Sequence, residues 1–186
     1  MLKIILIGGG DLTEESLLKI KEEATSSFLK SKNIKTMIIP FARYEEDWEA
    51  VYTKNITKYA CDDYKYTFMY PSKDHNAFLE QLNDSELVII PGGSELSLIK
   101  NLPELSSANF DNKVIIATSA GTNFLASSYY SNDRDEFAVG SNILKINTIC
   151  HFKDDVIDKV KVLTELNGLP TFTLREGDFI VLYESK

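Results

Sequence analysis

Apolar residues in this chain fall into two kinds of run. Short, largely apolar stretches occupy residues 3–7, 35–40, 87–90 and 114–117. Between them lie longer stretches in which apolar residues recur three and four apart. The first kind predicts strands buried on both faces, and the second predicts amphipathic helices that cover them. Helices are predicted over 13–29, with Thr13 as N-cap and Leu17, Leu18, Ile20 and Ala24 on one side, and over 45–60, with Trp48, Val51, Tyr52 and Tyr59 near a 3.6 period. Further helices are predicted over 74–82, from Ser94 to 100, from Ser119 to 127 and over 154–166. A strand that alternates aromatic and polar residues is predicted over 64–70. Two short extended pieces follow between 137 and 150. Residues 171–174 and 179–183 read as a hairpin around Glu176-Gly177-Asp178. Strands alternating with helices predict an α/β fold, a three-layer αβα sandwich. Its sheet is mostly parallel, with antiparallel strands added near the C-terminus. No repeat, linker or low-complexity tract interrupts it, so one domain is expected over 1–186.

Composition narrows the function classes. At 44% apolar and 26% charged the chain is ordinary for a folded domain. Its formal net charge of -8 repels phosphate backbones, which argues against a nucleic-acid partner. Two cysteines, Cys61 and Cys150, make no disulfide framework. The apolar N-terminal run is short and ends in Gly8-Gly9-Gly10, so it reads as a first strand and not as a signal peptide. No run reaches the length of a membrane span. A reduced, cytoplasmic setting is the expectation, without a membrane partner.

Ligands of such a sheet bind at the carboxyl ends of its strands, which brings four features forward. Ala117-Thr118-Ser119-Ala120-Gly121 joins a buried strand to a helix, as a nucleophile elbow does. Small residues permit the tight turn, and the helix N-terminus places the Ala120 amide where it can stabilise an oxyanion. Ala117 stands where G-x-S-x-G has its first glycine, and a plain serine N-cap explains the same residues. Pro91-Gly92-Gly93-Ser94 ends another buried strand, where glycine amides can approach a ligand or merely make a turn. Ile7-Gly8-Gly9-Gly10-Asp11 resembles the start of a dinucleotide fingerprint, but Thr13 stands where its last glycine belongs, and no acidic residue ends the second strand. A nucleotide role is therefore not expected.

Histidine is the fourth feature. His75 lies in a polar helix start and reads as a surface residue. His151 follows Ile149-Cys150 at the end of an apolar strand, and a serine nucleophile needs a base. Cys150 lacks an elbow and should point away from His151, which makes it structural. The histidines and cysteines show no metal-ligand spacing, so neither metal nor cofactor is expected. An acid to orient the histidine is open among Glu176, Asp178, Asp133, Asp135 and Asp154, and on its local pattern alone Glu176 reads first as part of a charged turn facing water.

Taken together and in order, these pieces resemble the dipeptidase E and cyanophycinase-like serine peptidases. The likeness runs through Ile7-Gly8-Gly9-Gly10, Ile38-Ile39-Pro40 with Ala42, Ile90-Pro91-Gly92-Gly93, Thr118-Ser119-Ala120-Gly121-Thr122-Asn123, His151-Phe152 and Leu174-Arg175-Glu176-Gly177. The resemblance implies an αβα fold related to the glutaminase domain of class I amidotransferases. It also implies Ser119 as nucleophile, His151 as base, Glu176 as orienting acid, and the amides of Gly93 and Ala120 as oxyanion donors. Thr118 stands where the family has tryptophan, Cys150 where proline often precedes the histidine, and Ser94-Glu95 where asparagine-threonine is common. A preference for aspartyl dipeptides is therefore not carried over.

The expected function is a serine peptidase cleaving small peptides by acyl transfer. Another amide or ester hydrolase on the same three residues, and a non-catalytic small-ligand-binding protein of this fold, are the alternatives. The assembly is left open, a homodimer included.

Overall fold

The computed structural model describes residues 1–29 and 32–184. Its main sheet has six strands: β1 (Leu2–Ile7), β2 (Asn33–Ile38), β3 (Lys65–Met69), β4 (Leu87–Ile90), β5 (Val114–Thr118) and β10 (Phe179–Glu184), in the order β10-β1-β5-β4-β2-β3. All pairings are parallel except β10 with β1. A second sheet has the order β7-β6-β8-β9. It is built from β6 (Ser128–Ser131), β7 (Glu136–Val139), β8 (Asn147–Cys150) and β9 (Thr171–Leu174). The helices are α1 (Glu14–Thr25), α2 (Trp48–Tyr59), α3 (His75–Asp84), α4 (Glu95–Asn101), α5 (Ala120–Leu125) and α6 (Ile157–Asn167).

The apolar runs of β1, β4 and β5 are unbroken because both faces of these strands are buried. Leu2, Ile4 and Leu6 face one core with Val88, Ile90, Ile115 and Ala117. Ile5 and Ile7 face the other with Leu87, Ile89, Val114 and Ile116. Phe78 and Leu82 of α3, Leu98 of α4 and Phe124 of α5 close the first core. Ile20 and Ala24 of α1 and Tyr59 of α2 close the second. The period of two along each strand thus becomes the three layers of the sandwich. A third cluster, Tyr130, Ile149, Phe152 and Leu163, packs the second sheet against α6.

Three local expectations are corrected. β9 and β10 do not form a hairpin. β9 pairs in parallel with β8, and β10 crosses to the main sheet to pair antiparallel with β1. The helix after Ser119 ends at Leu125, and residues 128–131 turn into strand β6, whose Tyr129 and Tyr130 are buried. The first helix ends at Thr25, short of residue 29. No helix among the described residues is long and apolar enough to cross a membrane.

The crossing of β9 to β10 matters for the site. It carries the 175–178 turn past the carboxyl end of β1, where the Gly177 amide donates to the Gly9 carbonyl at 2.9 Å and Gly8 donates to the Asp178 carbonyl at 3.0 Å. The end of β8 is tied to the same place, because the His151 amide donates to the Gly8 carbonyl at 3.0 Å. Both sheets therefore end against the glycine run that follows β1.

Candidate active site

A cavity of about 600 Å³ opens at the carboxyl ends of β1, β4 and β5. Ser119 and His151 line it, together with Gly9, Gly10, Gly92 and Gly93. Ser119 leaves β5 with φ 50° and ψ −109°, a conformation that an L-residue adopts only when its surroundings enforce it. Its amide donates to the Ile7 carbonyl at 2.9 Å, and its carbonyl accepts from the Asn123 amide at 2.9 Å. Thr122 reinforces the turn, its hydroxyl lying 3.0 Å from the Ile7 carbonyl and 2.9 Å from that of Ala117. The turn must stay narrow, since a Cβ on Gly121 would strike the Ile90 carbonyl. The Ser119 side chain makes no capping bond to α5, so the N-cap alternative does not describe it.

The Ser119 Oγ lies 2.8 Å from His151 Nε2, and His151 Nδ1 lies 3.1 Å from Glu176 Oε1. An ionised carboxylate only accepts, so Nδ1 carries the ring proton and Nε2 is left to accept from the serine hydroxyl. His151 also sits at a positive φ of 52°. Asn132 holds that backbone, its Nδ2 donating to the Cys150 carbonyl at 2.6 Å and the His151 carbonyl at 3.3 Å. The other acids are engaged differently. Asp135 accepts from the Tyr130 hydroxyl, Asp154 pairs with Arg175, Asp178 offers its backbone carbonyl to Gly8, and Asp133 lines the cavity without bonding His151.

Of the two expected amide donors, Ala120 follows the serine directly and Gly93 lines the same cavity. Ala120 opens α5 and has no acceptor within its helix. Gly93 donates to no protein acceptor among the described residues. Its φ of 156° and the Ala42 carbonyl packed against it leave no room for a side chain. Cys150 is buried, with Sγ against the Ser119 carbonyl at 3.6 Å, and burial pushes its thiol far up. Buried in this way, it is a structural cysteine. His75 is exposed, as its polar surroundings indicate. Among the described residues no cluster of three or more histidine, cysteine, aspartate or glutamate side chains could hold a metal.

Sequence reasoning underrated one loop and missed one wall. The glycines that resemble a dinucleotide fingerprint lie against the histidine and the glutamate. A Cβ on Gly9 would run into the His151 ring, and one on Gly10 would come within 2.7 Å of Glu176 Cβ. The signal was there in three consecutive glycines after a strand, which mark close approach whatever approaches. The missed wall is α2, which brings Lys54 and Lys58 to the cavity, joined by Arg43. Arg43 Nε donates to the Gly92 carbonyl at 3.1 Å. None of these three cations forms a salt bridge among the described residues. Burial and the like charge of Lys54 hold the Lys58 ammonium below the usual lysine range. Nothing in a helix pattern distinguishes lysines that face a cavity from lysines that face water.

The model of peptidase family S51 matches residues 4–186, nearly the whole chain. The chain belongs to peptidase family S51. This S51 chain is accordingly a serine peptidase. Among curated proteins none matches it. Its fold is shared with a crystal structure of a peptidase from an acI-B1 Actinobacterium, at 19% identity and TM-score 0.64, over 97% of this chain and 82% of that one. It is shared also with a protein from Listeria monocytogenes EGD-e named as a peptidase E, at 13% identity and TM-score 0.59, over 100% of both chains. Those identities speak for the fold.

Proposed function

We propose that this S51 peptidase cleaves small peptides by acyl transfer through Ser119, His151 and Glu176. The observation that carries the reading is the unbroken line of hydrogen bonds at 2.8 Å and 3.1 Å from Ser119 through His151 to Glu176, built on a serine of positive φ at a helix N-terminus. Ser119 Oγ attacks the scissile carbonyl while its proton passes to His151 Nε2. The carbonyl oxygen becomes an oxyanion, received by the amides of Gly93 and Ala120. The C–N bond then breaks, His151 returns the proton to the leaving amine, and the acyl group remains as an ester on Ser119. Water repeats the sequence with His151 again as base and releases the acid. Glu176 holds the ring tautomer and stabilises the imidazolium.

The cavity supports a short substrate. At about 600 Å³ it has the size of a small-molecule site rather than a groove for a long chain. Arg43, Lys54 and Lys58 outnumber Asp47 and Asp133 in its lining, which gives the cavity a cationic wall in a chain of net charge -8, and a peptide with a free carboxylate supplies the matching charge. A panel of dipeptides, simple amides and p-nitrophenyl esters tests the reading, with wild type beside Ser119→Ala. Peptides should be cleaved, and the variant should lose about 10⁴-fold or more of kcat while keeping its fold. Cleavage confined to esters and amides would make the chain a different hydrolase. Ser119→Ala at near wild-type rate would remove Ser119 from the chemistry.

A further inference from the structure

The groups assigned above to nucleophile, base and oxyanion donor come from three separate segments: Ser119 after β5, His151 after β8, and Gly93 after β4. Their relative placement has to hold to a fraction of an ångström, since small misplacements of reacting groups are costly in rate. A buried polar chain joins the three segments at positions that do not line the cavity. Glu95 lies two residues after Gly93 and is 7% exposed. One of its carboxylate oxygens accepts from Asn123 Nδ2 at 2.8 Å, the other from Arg134 Nη1 at 3.2 Å. Asn123 lies four residues after Ser119 and donates its backbone amide to the Ser119 carbonyl. Its Oδ1 accepts from the Thr148 hydroxyl at 2.8 Å. Thr148 is fully buried on β8, three residues before His151.

The chain has one consistent polarity. A carboxylate only accepts, so Asn123 must turn its NH₂ to Glu95 and its carbonyl to Thr148, and the threonine hydroxyl must donate. Arg134 extends the chain into the 132–135 turn, where Nη2 donates to the Tyr129 hydroxyl at 3.1 Å. The same turn carries Asn132, which grips the backbone of His151. Stability alone does not account for this arrangement. Buried ion pairs are often replaced by apolar side chains at no loss, because desolvation consumes their attraction. What a carboxylate supplies here is direction: two acceptors held at a fixed angle between three segments.

We infer that Glu95, acting through Asn123 and Thr148, is a positioning residue that sets Ser119, His151 and the Gly93 amide in register. The inference rests on the Ser119–His151 reading. Fluorophosphonate labelling tests it without knowledge of the substrate, because displacement of fluoride from phosphorus by Ser119 Oγ uses the nucleophile, the base and the amide donors together. Glu95→Gln should label about ten- to a hundredfold more slowly than wild type while folded. Thr148→Val keeps the volume and loses the hydroxyl; Thr148→Ser keeps the hydroxyl and loses a methyl. The labelling rate should fall in the valine variant and be restored in the serine variant, whatever their thermal midpoints, and this pair decides the matter if Glu95→Gln does not fold. Rates equal to wild type in the folded variants, or a rate that follows the thermal midpoint instead of the hydroxyl, would overturn the positioning role alone. A wild type that does not label would overturn the serine reading, and this inference with it.

Discussion

Glu176 is the most exposed of the three assigned side chains, at 64%, against 35% for His151. An exposed ion pair adds little to stability, so the assigned value of Glu176 is in the tautomer it enforces. Glu176→Gln should fold normally and lower kcat by roughly two to four orders of magnitude, as tautomer disruption does in other triads. Asp178→Asn should change kcat little, because the Asp178 contact in the site is made by its backbone carbonyl. Steady-state kinetics of the two variants decides between them, and the reversed order would make Asp178 the orienting acid. Gly9 makes a sharper steric point. Its φ of 108° and the His151 ring against it leave no space for a methyl group. Gly9→Ala should therefore displace the ring and lower kcat by about tenfold or more. A wild-type kcat from that variant would mean that the ring position is not critical.

At the scale of elements, the sequence was legible where a single strand or helix decides its own fate. The buried runs of β1, β4 and β5 and the turns that end them lie where the pattern puts them, and Ser119 and His151 stand at two of the predicted strand ends. Partner choice was not legible. Two short apolar stretches around Glu176-Gly177-Asp178 look locally like a hairpin. Their alignment is instead set by distant edges, that of β8 for β9 and that of β1 for β10. Strand β6 was hidden for another reason. Ser128–Ser131 is short and polar at both ends, and only its packing makes Tyr129 and Tyr130 a core. Beside its apolar cluster, the second sheet that carries His151 is tied to α6 by one buried amide. Asn147 is fully buried, and its Nδ2 reaches the carbonyls of Leu163 at 3.0 Å and Leu169 at 3.2 Å and Asn167 Oδ1 at 2.9 Å. Asn147→Leu removes those bonds and the one that Asn147 Oδ1 accepts from Asn167 Nδ2 at 2.9 Å, and should lower stability by about 1–3 kcal/mol. Urea unfolding measures it, and an unchanged midpoint would show that α6 docks by apolar contact alone.

Over the whole molecule, the net charge of -8 and the cationic cavity wall oppose each other. Under the proposed function, a peptide carboxylate is repelled by the surface at long range and attracted by the wall at contact. Lys58→Gln should raise KM for a free peptide by about three- to tenfold. It should leave kcat and the KM of the C-terminally amidated peptide nearly unchanged. The lowered Lys58 pKa fixes the sign of the pH effect. Its charge is lost at a lower pH than that of an ordinary lysine. KM for the free peptide should therefore rise on the alkaline side while an exposed lysine would still be protonated, and the amidated peptide should not show that rise. Equal pH profiles for the two peptides would detach the cationic wall from substrate binding.

Ser119 is assigned as the attacking group, with His151 as its base. The mass of the protein after fluorophosphonate treatment, followed by peptide mapping, tests that assignment. One phosphonyl adduct per chain is expected, located on Ser119, absent from Ser119→Ala and formed far more slowly in His151→Gln. A folded wild-type chain without an adduct, or an adduct that persists in Ser119→Ala, would contradict it.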